Sequence, residues 1–207
     1  MKKPARDNTL GLVLAGGRAT RMGGVNKGLV LFGGEPMANR VIRTLKGQTA
    51  AVWVSANRDA EAFYALGADR VFADLRDDRP GPLAALEALT EKMLPEPFEW
   101  VLMTPCDVPL VPESLLDVLT EAFERECALT FTIRAAGRDQ NAVALVHRSA
   151  LNHVGDFLSR GDRKLGLWFE ETGRVRVPWV GDETVFENVN SPDELKALES
   201  RQKDEIL

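Results

Sequence analysis

The strongest constraint in this sequence is a series of short apolar runs that lack the polar alternation of a half-exposed strand. Leu10 to Ala15 (LGLVLA), Ala51 to Ala56 (AVWVSA) and Trp100 to Thr104 (WVLMT) are of strand length, and Ala128 to Ile133 and Ala142 to His147 are further candidates. Strands buried on both faces read this way, and they occur mainly in parallel sheets with helices on each side. The stretches between them have helical periodicity. Met37, Val41 and Leu45 recur every four residues within 36–47, and similar stripes run through 83–94 and 113–124, the latter by way of Leu115, Leu116, Leu119 and Phe123. Ser191-Pro192-Asp193-Glu194 reads as a helix start, with Ser191 as cap, Pro192 at the first helical position and Glu194 completing a capping box. Alternating β and α elements predict an α/β fold: three layers, α/β/α, around a mostly parallel, twisted, Rossmann-like sheet. With 207 residues the chain can bury a full core. No Pro/Gly/Ser-rich linker interrupts it, so residues 1–207 are read as one domain. Gly155, Gly161, Gly166, Gly173 and Gly181 make the second half less regular, and an antiparallel edge strand or a substrate-specific subregion is expected there.

Composition excludes several function classes. Cys106 and Cys127 do not form a disulfide framework, and with His147 and His153 as the only histidines no zinc-binding cluster is present. Both histidines are read as structural, as are Trp53, Trp100, Trp168 and Trp179. Met1 to Thr9 is polar, without the apolar core of a signal peptide. No apolar run approaches the roughly 18 residues of a membrane span, so a cytoplasmic protein is expected. The formal net charge of −5 argues against a general nucleic-acid binder. That charge is uneven, however. From Asn8 to Gly34 there is no Asp or Glu, while Arg18, Arg21 and Lys27 are all present.

This basic stretch contains the most informative segment, Leu14-Ala-Gly-Gly-Arg-Ala-Thr-Arg-Met-Gly-Gly-Val-Asn-Lys27-Gly28. It leaves the first strand where open α/β sheets bind ligands. Gly16 and Gly17 permit close backbone approach, and successive N–H groups in such a loop form an anion-binding concavity. Arg21 can clamp phosphate oxygens in bidentate fashion, and Lys27 adds a mobile point charge. The spacing is neither the G-x-G-x-x-G of a dinucleotide fold nor the G-x-x-x-x-G-K-[ST] of a P-loop.

LAGGRATRMGGVNKG resembles the signature loop of the nucleotidyltransferases that build the molybdenum cofactor. The resemblance extends from about Leu10 to about Leu195. It continues through Ser55-Ala-Asn-Arg58, Pro80-Gly-Pro-Leu83, Thr104-Pro-Cys-Asp-Val-Pro109 and Phe186-Glu-Asn-Val-Asn-Ser-Pro192, and the set is most similar to the guanylyltransferase branch, the MobA family. It implies the nucleotide-diphospho-sugar transferase type of fold, with a nucleotide half at about 8–110 and an acceptor half at about 111–200. It implies nucleotide contacts from Leu14, Ala15, Gly16, Gly17, Arg21, Lys27, Ser55, Asn57, Asp74, Gly81 and Asp107. Asp107 is the implied Mg²⁺ ligand, which also suits the habit of that ion of taking one or two carboxylates plus phosphates and water. Arg21, Lys27 and Asp107 are the implied catalytic groups. Asn188 and Asn190, two apart in an extended segment and so on one side of it, are implied to face the acceptor. The implied reaction is attack by the terminal phosphate of molybdopterin, with or without molybdenum, on the α-phosphorus of GTP. Transient contacts with cofactor-biosynthesis proteins and apo-molybdoenzymes are also implied. Arg134, Arg138, Arg148, Arg163 and Lys164 are read as surface residues rather than as phosphate receptors.

Two positions depart from the family pattern. Asn26 stands where the family loop usually has Asp, and Ser55 where Asn is common. They leave two rivals open: a related transferase using CTP or a sugar or alcohol phosphate, and a nucleotide-binding cofactor chaperone without turnover.

Overall fold

The computed structural model describes residues 1–17, 26–76, 81–90, 94–95 and 97–204. Its centre is a strand fully covered on both faces, β1 (Thr9–Leu14). Parallel neighbours flank it: β4 (Ala51–Ser55) on one side, itself joined in parallel by β5 (Arg70–Phe72), and β6 (Trp100–Pro105) on the other. β8 (Arg138–His147) pairs antiparallel with β6, β7 (Thr130–Ala135) antiparallel with β8, and β9 (Val175–Pro178) parallel with β7. The sheet order is therefore β5-β4-β1-β6-β8-β7-β9. An antiparallel strand is indeed in the second half, but β8 lies inside the sheet rather than at its edge. It cannot be an edge strand because β7 and β9 continue the sheet beyond it. A separate two-stranded hairpin, β2 (Leu31–Phe32) with β3 (Glu35–Pro36), follows the Lys27 turn.

The uninterrupted apolar runs are explained by two cores. Leu10 and Leu12 of β1, Trp53 of β4, Val101 and Met103 of β6, and Ala144 and Val146 of β8 face one side. There they meet α3 (Pro82–Thr90), α5 (Arg148–Leu151), α6 (Val154–Ser159) and α7 (Leu165–Glu171). Val13, Val52, Val54, Leu102, Val143 and Leu145 face the other side. They pack on α1 (Met37–Gln48), α2 (Ala60–Ala65) and α4 (Leu115–Arg125). Alternate residues of one strand thus enter different apolar layers. Trp100, Trp168 and Trp53 are buried in these layers, and Trp179 packs edge-on against Phe186. His147 is buried too, and burial holds its imidazole below the usual histidine range, so it stays neutral at pH 7.

A third, smaller cluster joins Phe32, Met37, Val189 and Leu198, the last from α8 (Pro192–Asp204). α8 starts where the sequence predicts. Ser191 Oγ accepts from the Glu194 N–H at 3.3 Å, but the Glu194 carboxylate reaches one residue further back than a capping box, accepting from the Asn190 N–H at 2.6 Å. No helix among the described residues is long and apolar enough to cross a membrane.

The sheet and α1 meet closely at Gly11. A Cβ there would lie 2.9 Å from Thr49 Oγ1 and 3.2 Å from Leu45 Cβ. The Thr49 hydroxyl cannot easily yield, since it hydrogen-bonds Leu45 O at 2.8 Å. Gly11→Ala is expected to lower the free energy of unfolding by about 2 kcal/mol, the range for overpacking a filled core. Denaturant unfolding of the two proteins measures this.

Candidate active site

β1, β4, β5 and β6 all end at the same edge of the sheet, and the chain direction of connections reverses between β1 and β6. That is the place where an open α/β sheet leaves a crevice. Backbone bonds lace the strand exits together: Ala15 N–H to Ser55 O at 2.8 Å, Cys106 N–H to Leu14 O at 3.0 Å, and Ala56 N–H to Phe72 O at 2.8 Å. The loops above them border a cavity of about 340 Å³, within the size range of small-ligand sites.

One end of the cavity is built around Asp74. Its Oδ2 accepts from Asn57 Nδ2 at 2.7 Å and its Oδ1 from Ser55 Oγ at 3.3 Å, while its own N–H donates to Asn57 Oδ1 at 2.9 Å. Asn57 thus spends both ends of its amide on Asp74, and it does not itself line the cavity. Ser55 does, but its hydroxyl is directed to the same carboxylate. Gly16 passes close beside them, and a Cβ there would stand 3.2 Å from Asn57 Nδ2. The segment carrying Asp74 is anchored by a bidentate pair, Arg76 to Glu87 of α3, with both bonds at 2.6 Å. Gly81, at φ +73°, turns the chain into α3 and borders the cavity with Pro82 and Ala85.

The other end is a polar knot. Lys27 Nζ lies 3.2 Å from Asp107 Oδ2 and 2.6 Å from Asn190 Oδ1, and Asn188 Nδ2 donates to Asp107 Oδ1 at 2.9 Å. The alternation of an extended chain explains the convergence. Val189 is 1% exposed and points into the small cluster with Leu198, so its two neighbours point the opposite way, onto Lys27 and Asp107. The Val189 N–H also bonds the Asp107 carbonyl at 2.9 Å.

Leu14, Ala15, Gly16, Gly17, Lys27, Ser55, Asp74, Gly81, Asp107 and Asn188 all border the cavity. Asn57 and Asn190 sit behind it, holding Asp74 and Lys27. Arg21 lies outside the described residues, as do Arg18, Asp77, Asp78 and Pro80. Arg134 pairs with Asp139, Arg148 donates to the carbonyls of Phe98 and Leu94, and Arg163 donates to the Leu158 carbonyl. None of these three borders the cavity. Sequence reading missed Ala142, which does. It sits where the β7–β8 register jumps: Thr132 opposes Ala144 but Ile133 opposes Gln140. Ala142 falls within this irregular stretch, and no local pattern in the sequence marks it.

A family model described as a MobA-like NTP transferase domain matches residues 11–175. The chain belongs to this family. It is a nucleotidyltransferase. It is 38% identical over 204 residues to the molybdenum cofactor guanylyltransferase of Cupriavidus metallidurans, covering 96% of this chain and 98% of that protein. It is 39% identical over 209 residues to the protein of the same name from Burkholderia orbicola, covering 97% and 100%. A crystal structure of molybdopterin-guanine dinucleotide biosynthesis protein A from Archaeoglobus fulgidus superposes with a TM-score of 0.75 at 20% identity, over 94% of this chain and 99% of that one. At that identity the superposition establishes the three-layer α/β fold.

The donor set fits a hard divalent cation shared with a ligand. No group of three or more His, Cys, Asp or Glu side chains able to hold a metal occurs among the described residues. Asp107 offers a single carboxylate whose oxygens retain acceptor capacity beyond the bonds from Lys27 and Asn188. One carboxylate completed by phosphate oxygens and water is a usual arrangement for Mg²⁺.

Cys106 adjoins Asp107 but takes no part as a nucleophile. Burial, reinforced by the neighbouring Asp107 charge, pushes its thiol far above the ordinary cysteine range. Cys127 is exposed. Iodoacetamide at about pH 8 is expected to label Cys127 and spare Cys106 in the folded chain, and peptide mass spectrometry distinguishes the two sites.

Proposed function

We propose that the chain is a molybdenum cofactor guanylyltransferase. It transfers GMP from GTP to the terminal phosphate of molybdopterin, with or without bound molybdenum, and releases pyrophosphate in the cytoplasm. The observation that carries this reading is the knot of Lys27, Asp107, Asn188 and Asn190 at the mouth of the glycine loop. It occurs in a chain whose curated relatives carry that activity in their names.

The chemistry follows from charge. An oxygen of the acceptor phosphate forms the new bond to the α-phosphorus, and the bond from that phosphorus to the oxygen bridging to the β-phosphorus breaks. The attacking oxygen is already anionic near neutral pH, so no strong general base is needed. This accords with a neutral His147 that does not border the cavity, and with a Cys106 that borders it but whose buried thiol is held protonated. Catalysis then rests on positioning and on neutralising charge. Gly16, Gly17 and the Lys27 ammonium border the cavity, and in this reading they receive the phosphates. Asp107 would hold Mg²⁺, which when bound supplies electrophilic stabilisation of phosphate oxygens. Asn190 steers the Lys27 ammonium and Asn188 holds the Asp107 carboxylate in place. Asp74, with its orientation fixed by Asn57 and Ser55, presents a carboxylate suited to the N–H or O–H donors of a base or ribose.

Pyrophosphate release measured with molybdopterin, Mg²⁺ and either GTP or CTP tests the reading. Faster turnover with GTP is expected, and faster turnover with CTP overturns it in favour of a cytidylyl enzyme. Lys27→Ala and Asp107→Ala are each expected to lose about 100-fold or more in kcat/KM, the scale of removing one preorganised charge-stabilising group. Their far-UV circular dichroism should remain that of the unaltered chain. Activity surviving both changes would show that the knot is not the catalytic centre.

A further inference from the structure

Asp59 occupies the position from which an aspartate ordinarily caps a helix. It precedes α2, yet its carboxylate makes no hydrogen bond to that helix. Its backbone is left-handed, at φ +59° and ψ +31°, a conformation that is costly for any residue with a Cβ, though asparagine and aspartate bear it best. The side chain turns instead to a segment 33 residues earlier, where Asn26 Nδ2 donates to Asp59 Oδ2 at 3.3 Å. The Arg58 guanidinium is a looser neighbour at 3.7 Å.

Asn26 is buried, and its other amide atom is committed. Asn26 Oδ1 accepts from the Gly28 N–H at 3.2 Å and so caps the turn Lys27–Leu29. An asparagine amide is nearly symmetric in shape and opposite in polarity at its two ends. Turned over, it would set an NH2 group against the Gly28 N–H, and the cap would be lost. A carboxylate can only accept, so Asp59 selects the orientation that caps. Lys27 begins this turn and carries its ammonium to Asp107 and Asn190.

We infer that Asp59 is a positioning residue for the nucleotide: by fixing the Asn26 amide it sets the turn that presents Lys27 at the end of the glycine loop. The inference rests on the nucleotidyl-transfer reading above. It also gives a physical account of Asn26. A carboxylate at position 26 would face the Asp59 carboxylate as a like charge, whereas an amide makes a matched pair with it.

Asp59→Gly separates positioning from folding. Glycine adopts φ +59° without strain, so the variant should be as thermally stable as the unaltered chain or more so. It has no carboxylate to hold Asn26, and kcat/KM for GTP should fall about fivefold, the scale of one hydrogen bond. The fall should come mainly through KM for GTP, with KM for the acceptor unchanged. Asp59→Asn keeps an accepting oxygen and should retain most of the activity. In an Asn26→Ala background, Asp59→Gly should add no further loss. Asp59→Gly turning over GTP like the unaltered chain overturns the inference, and so does a full second loss in the Asn26→Ala background. Should the unaltered chain release pyrophosphate from no nucleoside triphosphate, the functional reading fails instead. The side-chain amide proton resonances of Asn26 then decide the positioning role. They should differ between the unaltered chain and Asp59→Gly, which lacks the carboxylate acceptor, and unchanged resonances overturn it.

Discussion

The pairing of Lys27 with Asp107 is the constraint on which the rest of the site depends. The two side chains are 22% and 13% exposed, so each charge has given up much of its water. Removing one partner from such a pair leaves the other uncompensated, and that is typically far costlier than losing an exposed ion pair. Each charge also has a neutral helper. Asn190 accepts from the ammonium and Asn188 donates to the carboxylate. The pair spans 80 residues of sequence, and the bond from Lys27 to Asn190 spans 163. The turn that begins at Lys27, a turn after β6 and the approach to the last described helix are therefore held to one another by these four side chains.

Much of the surrounding structure keeps that pair in register. The strand exits are laced by main-chain bonds, and Val189 anchors the two asparagines by burying itself between them. At the opposite end the same economy recurs with one carboxylate and two uncharged partners. Asp74 is held by Asn57 and Ser55, and the strand-exit segment that carries it is tied to α3 through Arg76 and Glu87. The cavity therefore has a carboxylate at one end, Asp74, and at the other the paired charges of Lys27 and Asp107. That separation suits a ligand carrying hydrogen-bond donors at one end and phosphates at the other.

The fold was legible where burial on both faces wrote itself into composition. The runs around Leu12, Trp53 and Leu102 had no reason to alternate, and they became β1, β4 and β6. β8 was legible as a strand but its place was not, because antiparallel pairing inside a mixed sheet depends on what lies beyond it. The hairpin around Gly33 and Gly34 was too short to carry a period. In the site, Lys27 could be read from the basic glycine loop, while Asp107, Asn188 and Asp74 were implied by the family resemblance. Asp59 and Ala142 could not. The first contacts a distant amide, and the second lies at a shift in strand register. Each is a property of tertiary placement rather than of neighbouring residues. Ser55 shows a subtler limit: its position at the site was readable, but the direction of its hydroxyl, toward Asp74, was not.

The attachment of α8 has a consequence for how heat acts on this protein. Its first turn reaches back through Glu194 to the Asn190 N–H, and Asn190 in turn holds the Lys27 ammonium. The rest of that helix is largely charged and exposed, with Leu198 buried and Leu195 packed beside it. Terminal helices with few apolar anchors open before a core does. The last element of the chain is therefore also a fuse. Warming that detaches it is expected to slacken the grip on Lys27 while both apolar layers of the sheet remain intact.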